Sequence, residues 1–119
     1  MSINFKKYGL LVIKGLLTLA FVGAGLAKLG GVEMMVQTFD AVGLGQWFRY
    51  ATGLIEIAGA ILLWVNGAQF FGSALLAVTM AGAVLAHVFV IGPSAIPALV
   101  LGILSVIVVF FHRDQSPIG

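Results

Sequence analysis

Residues 69–91 read QFFGSALLAVTMAGAVLAHVFVI, an apolar run without a lysine, arginine, aspartate or glutamate. A helix rises about 1.5 Å per residue, so a run of this length reaches most of the way across the roughly 30 Å hydrocarbon core of a bilayer. A barrel strand would alternate polar and apolar residues over about ten positions, and this run does not alternate. In lipid, an open-ended segment satisfies its own backbone only as a helix. The run therefore predicts a transmembrane helix.

Similar runs lie on either side of it, at about 8–29, 48–65 and 95–111. Asn66-Gly67-Ala68 is an uncharged tight turn, which predicts antiparallel neighbours before and after it. Gly92-Pro93-Ser94 is a second break, with Ser94 a plausible N-cap and Pro97 in the first turn of the last helix. Between 31 and 42 the pattern changes. Val32, Met35, Val36 and Phe39 recur at helical spacing, with Glu33, Gln37 and Asp40 between them. That predicts a short amphipathic helix lying in the membrane interface as an anchor. Trp47, Phe48 and Tyr50 follow as an aromatic belt, with Trp64 at the far end of the same run. The expected fold is all-α: an integral membrane four-helix bundle, residues 1–119 forming a single transmembrane domain.

Composition agrees. Of 119 residues 61% are hydrophobic and only 8% charged, against roughly 25% charged in soluble domains. Mean hydropathy is +1.17. Such a chain has too little polar surface for water and expects the lipid bilayer as a partner. The net charge of +2 forms no basic patch, so nucleic acid is not an expected partner. The absence of cysteine removes disulfides, thiol relays and cysteine-ligated metals. Lys6 and Lys7 precede the first run as they would in a signal peptide, but the run is long and contains Lys14, so a retained helix is expected. Lys6, Lys7, Lys14 and Arg113 share one face after an even number of crossings. This bias predicts both termini in the cytoplasm, the membrane being a bacterial inner membrane.

Charges inside a membrane are costly and mark candidate sites. Lys28 ends the first run and Arg49 opens the second, on the non-cytoplasmic side. Glu56 lies two turns, or about 10 Å, further in, and shares a helix face with Arg49. His87 sits about a turn before the outer end of the third run. The four residues predict a polar pocket in the outer half, floored by Glu56. Each also has a purely structural reading. Glu56 pairs with Lys28 or Arg49 to hold helices together; His87 bonds a nearby carbonyl; Lys28 and Arg49 snorkel to headgroups. Lys14 reads as a snorkelling anchor, and His112 with Arg113 as a solvated helix end. No metal is expected, because one histidine and one embedded glutamate make a poor ligand set. No haem is expected, because His87 and His112 should lie at opposite faces. No nucleophile–base triad or phosphate loop is present, so catalytic residues stay unknown.

At these residues the sequence resembles the DoxX family, in particular its short DoxX-like members. The matching pieces are Gly25-Leu26-Ala27-Lys28-Leu29, Phe39 with Gly43, Gly53-Leu54-Ile55-Glu56-Ile57-Ala58-Gly59, and Ala83-Val84-Leu85-Ala86-His87. The resemblance implies a four-helix membrane protein and carries Lys28, Glu56 and His87; Arg49 rests on the charge argument alone. Family members are associated with membrane redox processes, and distant relatives look like chaperones of membrane receptors. The leading expectation is a redox-accessory subunit, more an accessory than a stand-alone enzyme. It would bind a quinone or similar amphipathic ligand, with a membrane redox partner or a second copy of itself. The alternatives are a non-catalytic assembly or chaperone subunit and a small transporter subunit.

Overall fold

The protein is all-α. Its computed structural model describes residues 2–92 and 94–115, with side chains from Phe5 onward. The expected break at Pro93 lies outside the described residues. Helix α1 spans Ser2–Gly30, α2 Glu33–Val42, α3 Trp47–Leu62, α4 Gln69–Ala86 and α5 Ile96–Phe111. A π-helical turn, His87–Ile91, continues α4, and a 3-10 turn, Arg113–Gln115, follows α5. The stretches Phe5–Gly30 and Gln69–Ile91 are long and apolar enough to cross a membrane, and Ile96–Phe111 is a shorter apolar helix.

Helix α1 begins earlier than the apolar run because Lys6 and Lys7 are good helix formers and nothing breaks the chain there. It ends where Gly31 takes φ 71°, a left-handed conformation that suits glycine. Gly43 and Gly45, at φ 84° and 100°, close α2 in the same way. Helix α3 stops at Leu62, and the chain turns through Gly67 at φ 85° into α4. Ser94 stands one residue before the N-cap, Ala95, and its hydroxyl accepts the Ile96 N–H at 3.1 Å. Pro97 occupies the first turn of α5.

The long helices pack α1 on α3, α3 on α4, α4 on α5 and α5 back on α1. Helix α2 lies across one end and touches α1, α3 and the π turn. Leu17, Phe21, Ala60, Leu63, Leu76, Met80, Ala98 and Val108 form the core. Glycines set the spacing. A Cβ on Gly25 would fall 2.8 Å from the Gly53 carbonyl oxygen, and one on Gly72 would fall 2.8 Å from that of Gly59. The α1–α3 and α3–α4 backbones therefore touch, as close-packed helices in lipid do. Ser73 and Ser105 are fully buried and donate to the carbonyls of Gln69 and Leu101 on their own helices, at 2.7 and 2.8 Å.

The outward surfaces are apolar on every long helix: Leu19 and Leu26 on α1, Leu54 and Ile61 on α3, Val78 and Leu85 on α4, Ile103 and Val106 on α5. The end opposite α2 is closed by side chains. Gln115 donates to Gln69 Oε1 at 2.7 Å and accepts the Phe70 N–H at 2.9 Å, tying the 3-10 turn to the start of α4. Lys14 does not snorkel outward. It is 7% exposed and lies over the Trp64 ring, 5.4 Å from its centroid.

Candidate functional site: a cavity beneath α2

The site starts from the glycine contact between α1 and α3. The helices run antiparallel, since Lys28 meets Arg49, Gly25 meets Gly53, and Thr18 meets Trp64. Side chains on a helix tilt toward its N-terminus. Lys28 on α1 and Glu56 on α3 therefore lean toward each other past the Gly25–Gly53 contact. Lys28 Nζ lies 2.8 Å from Glu56 Oε1, and both residues are buried. Among the described residues no other cation meets this carboxylate.

The pair opens onto a cavity of about 440 Å³. Thr52 and Ile55 of α3 continue its wall, with Thr79, Ala83 and Ala86 of α4 opposite. His87 lines it at the point where α4 becomes the π turn. There the Gly92 N–H reaches back to the His87 carbonyl at 3.0 Å instead of closing an α turn. Single π turns are rare and recur at functional sites. The roof is α2, through Met34, Met35, Thr38, Phe39 and Val42. Met35 and Phe39 of its apolar stripe thus face the cavity.

Thr38, Thr52 and Thr79 donate to the carbonyls of Met34, Phe48 and Leu75 on their own helices, at 2.8, 2.8 and 2.7 Å. The ionisable groups that line the cavity are Lys28, Glu56 and His87. The rest of the wall is aliphatic, aromatic and thioether. Methionines adapt to irregular apolar shapes, which suits a ligand with an apolar body. No group of three or more His, Cys, Asp or Glu that could hold a metal exists among the described residues.

Arg49 has a separate place. It does not line the cavity. Its Nη1 donates to the Lys28 carbonyl, and its Nε donates to Gln46 Oε1 at 2.7 Å. Gln46 in turn donates to the Val36 carbonyl on α2 at 3.0 Å. The guanidinium also lies 4.3 Å from the Tyr50 ring centroid. Arg49 is a brace that gives the Lys28 carbonyl a second donor beside the Gly31 N–H, and links the C-terminus of α1 through Gln46 to α2. The residues grouped on charge therefore divide: Lys28, Glu56 and His87 share the cavity, and Arg49 holds its roof. Gln46 and the α2 lining gave no functional signal in the sequence beyond the amphipathic spacing of Met35 and Phe39.

The model of the DoxX-like family matches residues 12–110. The chain belongs to the DoxX-like family. Two Bacillus subtilis (strain 168) proteins are similar to this DoxX-like chain. One, named "Putative oxidoreductase CatD", is 30% identical over 77 residues, covering 65% of this chain and 58% of the relative. The other, named "Uncharacterized protein YdgD", is 30% identical over 106 residues, covering 83% of this chain and 93% of the relative. The chain thus spans little more than half of the first relative and nearly all of the second. No solved structure matches it. The matched segment of the DoxX-like chain includes Lys28, Arg49, Glu56 and His87.

Proposed function

We propose that this DoxX-like chain is an integral membrane protein in which α1, α3, α4 and α5 cross the bilayer. In this reading both termini are cytoplasmic and α2 lies on the outer face. The apolar surfaces on all the long helices support this reading, because exposed apolar patches of that extent have no place in water. Helices α3 and α5 have 16 residues each, about 24 Å, which is short for a 30 Å core. Trp47 and Tyr50 at one end of α3 and Trp64 beyond the other extend it with interface-seeking aromatics.

Within that architecture the chain acts as a redox-accessory subunit whose cavity holds a quinone or a similar amphipathic ligand. One observation carries this proposal: a largely apolar cavity of about 440 Å³ whose ionisable lining groups are Lys28, Glu56 and His87. A quinone's carbonyl oxygens need donors, and its reduction needs protons near those oxygens. The Lys28 ammonium can donate, the Glu56 carboxyl can hold a proton, and His87 can do either. Met34, Met35 and Phe39 would cover the apolar body and exclude water. Electrons would come from a partner protein. The oxidoreductase name of one relative points in the same direction.

The test is native mass spectrometry of the chain extracted gently from its own membranes, with Glu56→Gln as comparison. A bound small molecule of fixed mass, lost from the variant, supports the ligand reading. A bare chain in both samples rejects it.

A second reading has its own observation. Ala77, Ala81, Ala98 and Gly102 line a shallow apolar groove between α4 and α5. Small residues there would let another membrane helix approach closely, as an assembly or chaperone subunit requires. A defined second protein that co-purifies, and survives Glu56→Gln, favours this reading.

A further inference from the structure

The cavity beneath α2 is lined at its ion pair by two buried residues, Lys28 and Glu56. Elsewhere it is open. Four of its lining residues are exposed: Met34 of the roof, Ile55 of α3, and Val78 and Gly82 of α4. A residue that lines a cavity and also meets the outside marks an opening. All four are apolar, and Val78 is 71% exposed. The exposed carboxylates of α2, Glu33 and Asp40, take no part in the lining.

The packing of α3 and α4 explains the gap. Gly59 and Gly72 draw these helices together, since a Cβ on Gly72 would fall 2.8 Å from the Gly59 carbonyl oxygen. Ile55 lies four residues from that contact along α3, about 6 Å, and Val78 lies six residues from it along α4, about 9 Å. Beyond the contact the two helices become separate walls of the cavity, with Thr52 on one and Thr79 and Ala83 on the other. A Cβ on Gly82 would meet nothing within 4 Å, so no side chain fills the space beside it.

Depth gives the opening its meaning. Gln69–Ile91 has 23 residues, and Met80 is its midpoint. Val78 and Gly82 each lie two residues from Met80, about 3 Å. In the membrane reading this opening faces acyl chains near the bilayer centre. His87 lies seven residues beyond the midpoint toward α2, about 10 Å, and Lys28 is in the last turn of α1. These polar groups lie outward of the opening, as lipid headgroups lie outward of their tails.

We propose that the cavity opens sideways into the bilayer between α3 and α4. Its ligand is a lipid-soluble molecule whose polar head meets Lys28 and His87, while its apolar tail leaves past Ile55, Val78 and Gly82. The inference rests on the reading of the cavity as a ligand site in a membrane protein, and adds the route and the tail. The tail never leaves apolar surroundings, and the head finds hydrogen-bonding partners where it leaves water.

The full chain, in phosphatidylcholine nanodiscs, is irradiated with a fatty acid that carries a diazirine in mid-chain, and the adducts are mapped by mass spectrometry. Adducts are expected on Thr52 and Phe39, which line the cavity behind the exposed rim. They should be lost in Gly82→Phe, whose ring fills the gap. They should be kept in Gly23→Phe, because Gly23 also has open space around it but does not line the cavity. No adduct on either residue in the wild type, or the same adducts in Gly82→Phe, overturns the proposal. Gly82→Leu takes the place of Gly82→Phe should that variant not fold. A decyl-substituted benzoquinone separates this inference from the quinone reading. Adducts that it displaces support both. Adducts that it leaves in place support the opening and count against quinone as the ligand. A chain that gives no adducts, yet carries a quinone in its native mass spectrum, overturns the opening and leaves the quinone reading standing.

Discussion

Gly25 and Gly53 face each other so closely that a Cβ on either would press on the other's carbonyl oxygen, at 2.8 and 3.0 Å respectively. That contact fixes the distance between α1 and α3, and with it the reach of Lys28 to Glu56.

Gly25→Ala is therefore expected to destabilise the protein. The new methyl would lie 2.5 Å from Ile57 Cγ1 as well as against the backbone of α3, so the helices must part. Overpacking of this kind costs about 1–3 kcal/mol. Gly23→Ala, where nothing lies within 4 Å, should be neutral or slightly stabilising. Melting of the two variants side by side checks this, and equal effects would refute the spacing argument.

Breaking the buried ion pair on one side should hurt more than removing both charges. Glu56→Leu alone leaves Lys28 buried without its partner, for which a loss of about 3–5 kcal/mol is expected. Adding Lys28→Met should recover much of that loss. A double-mutant cycle by chemical denaturation measures it, and strict additivity would show that the pair is not coupled.

Arg49→Lys keeps the charge but loses the planar fork that reaches the Lys28 carbonyl and Gln46 together. Helix α2 should loosen while α4 and α5 keep their packing. Hydrogen exchange is the readout: amides of residues 36–42 should exchange about tenfold faster, a population shift of about 1.4 kcal/mol. Unchanged α2 exchange would remove Arg49 from its role as a brace.

A chain without cysteine offers a clean topology test. Asp40→Cys on α2 and Asp114→Cys beyond α5 both replace exposed side chains. A membrane-impermeant maleimide added to intact cells should label the first and not the second. Labelling of only the second would invert the orientation. Labelling of both from outside would contradict four crossings with cytoplasmic termini.

Much of this protein is legible in its sequence, for definite reasons. The run 69–91 has one ionisable side chain in its whole length, and only a helix satisfies its backbone in an apolar setting. The glycines at 31, 43 and 67 mark the breaks because each takes a positive φ. Glu56 stood out because a carboxylate in such a run needs a partner, and Lys28 was within reach by depth. These are local facts, fixed by hydropathy, backbone sterics and the cost of a buried charge.

The rest depends on which faces meet. Arg49 shares a helix face with Glu56 yet turns to the end of α1, where it donates to the Lys28 carbonyl and to Gln46. The α2 stripe reads equally well as a face for lipid or for protein, and only packing against α3 and the π turn makes it a roof. Lys14 resembles any interfacial lysine in the sequence. Trp64 is fifty residues away, and only the fold turns its ring beneath that ammonium, because Thr18 supplies the oxygen that holds the indole. Hydropathy along one chain sets where helices begin and end; long-range side-chain contacts, which no single segment encodes, decide what they enclose.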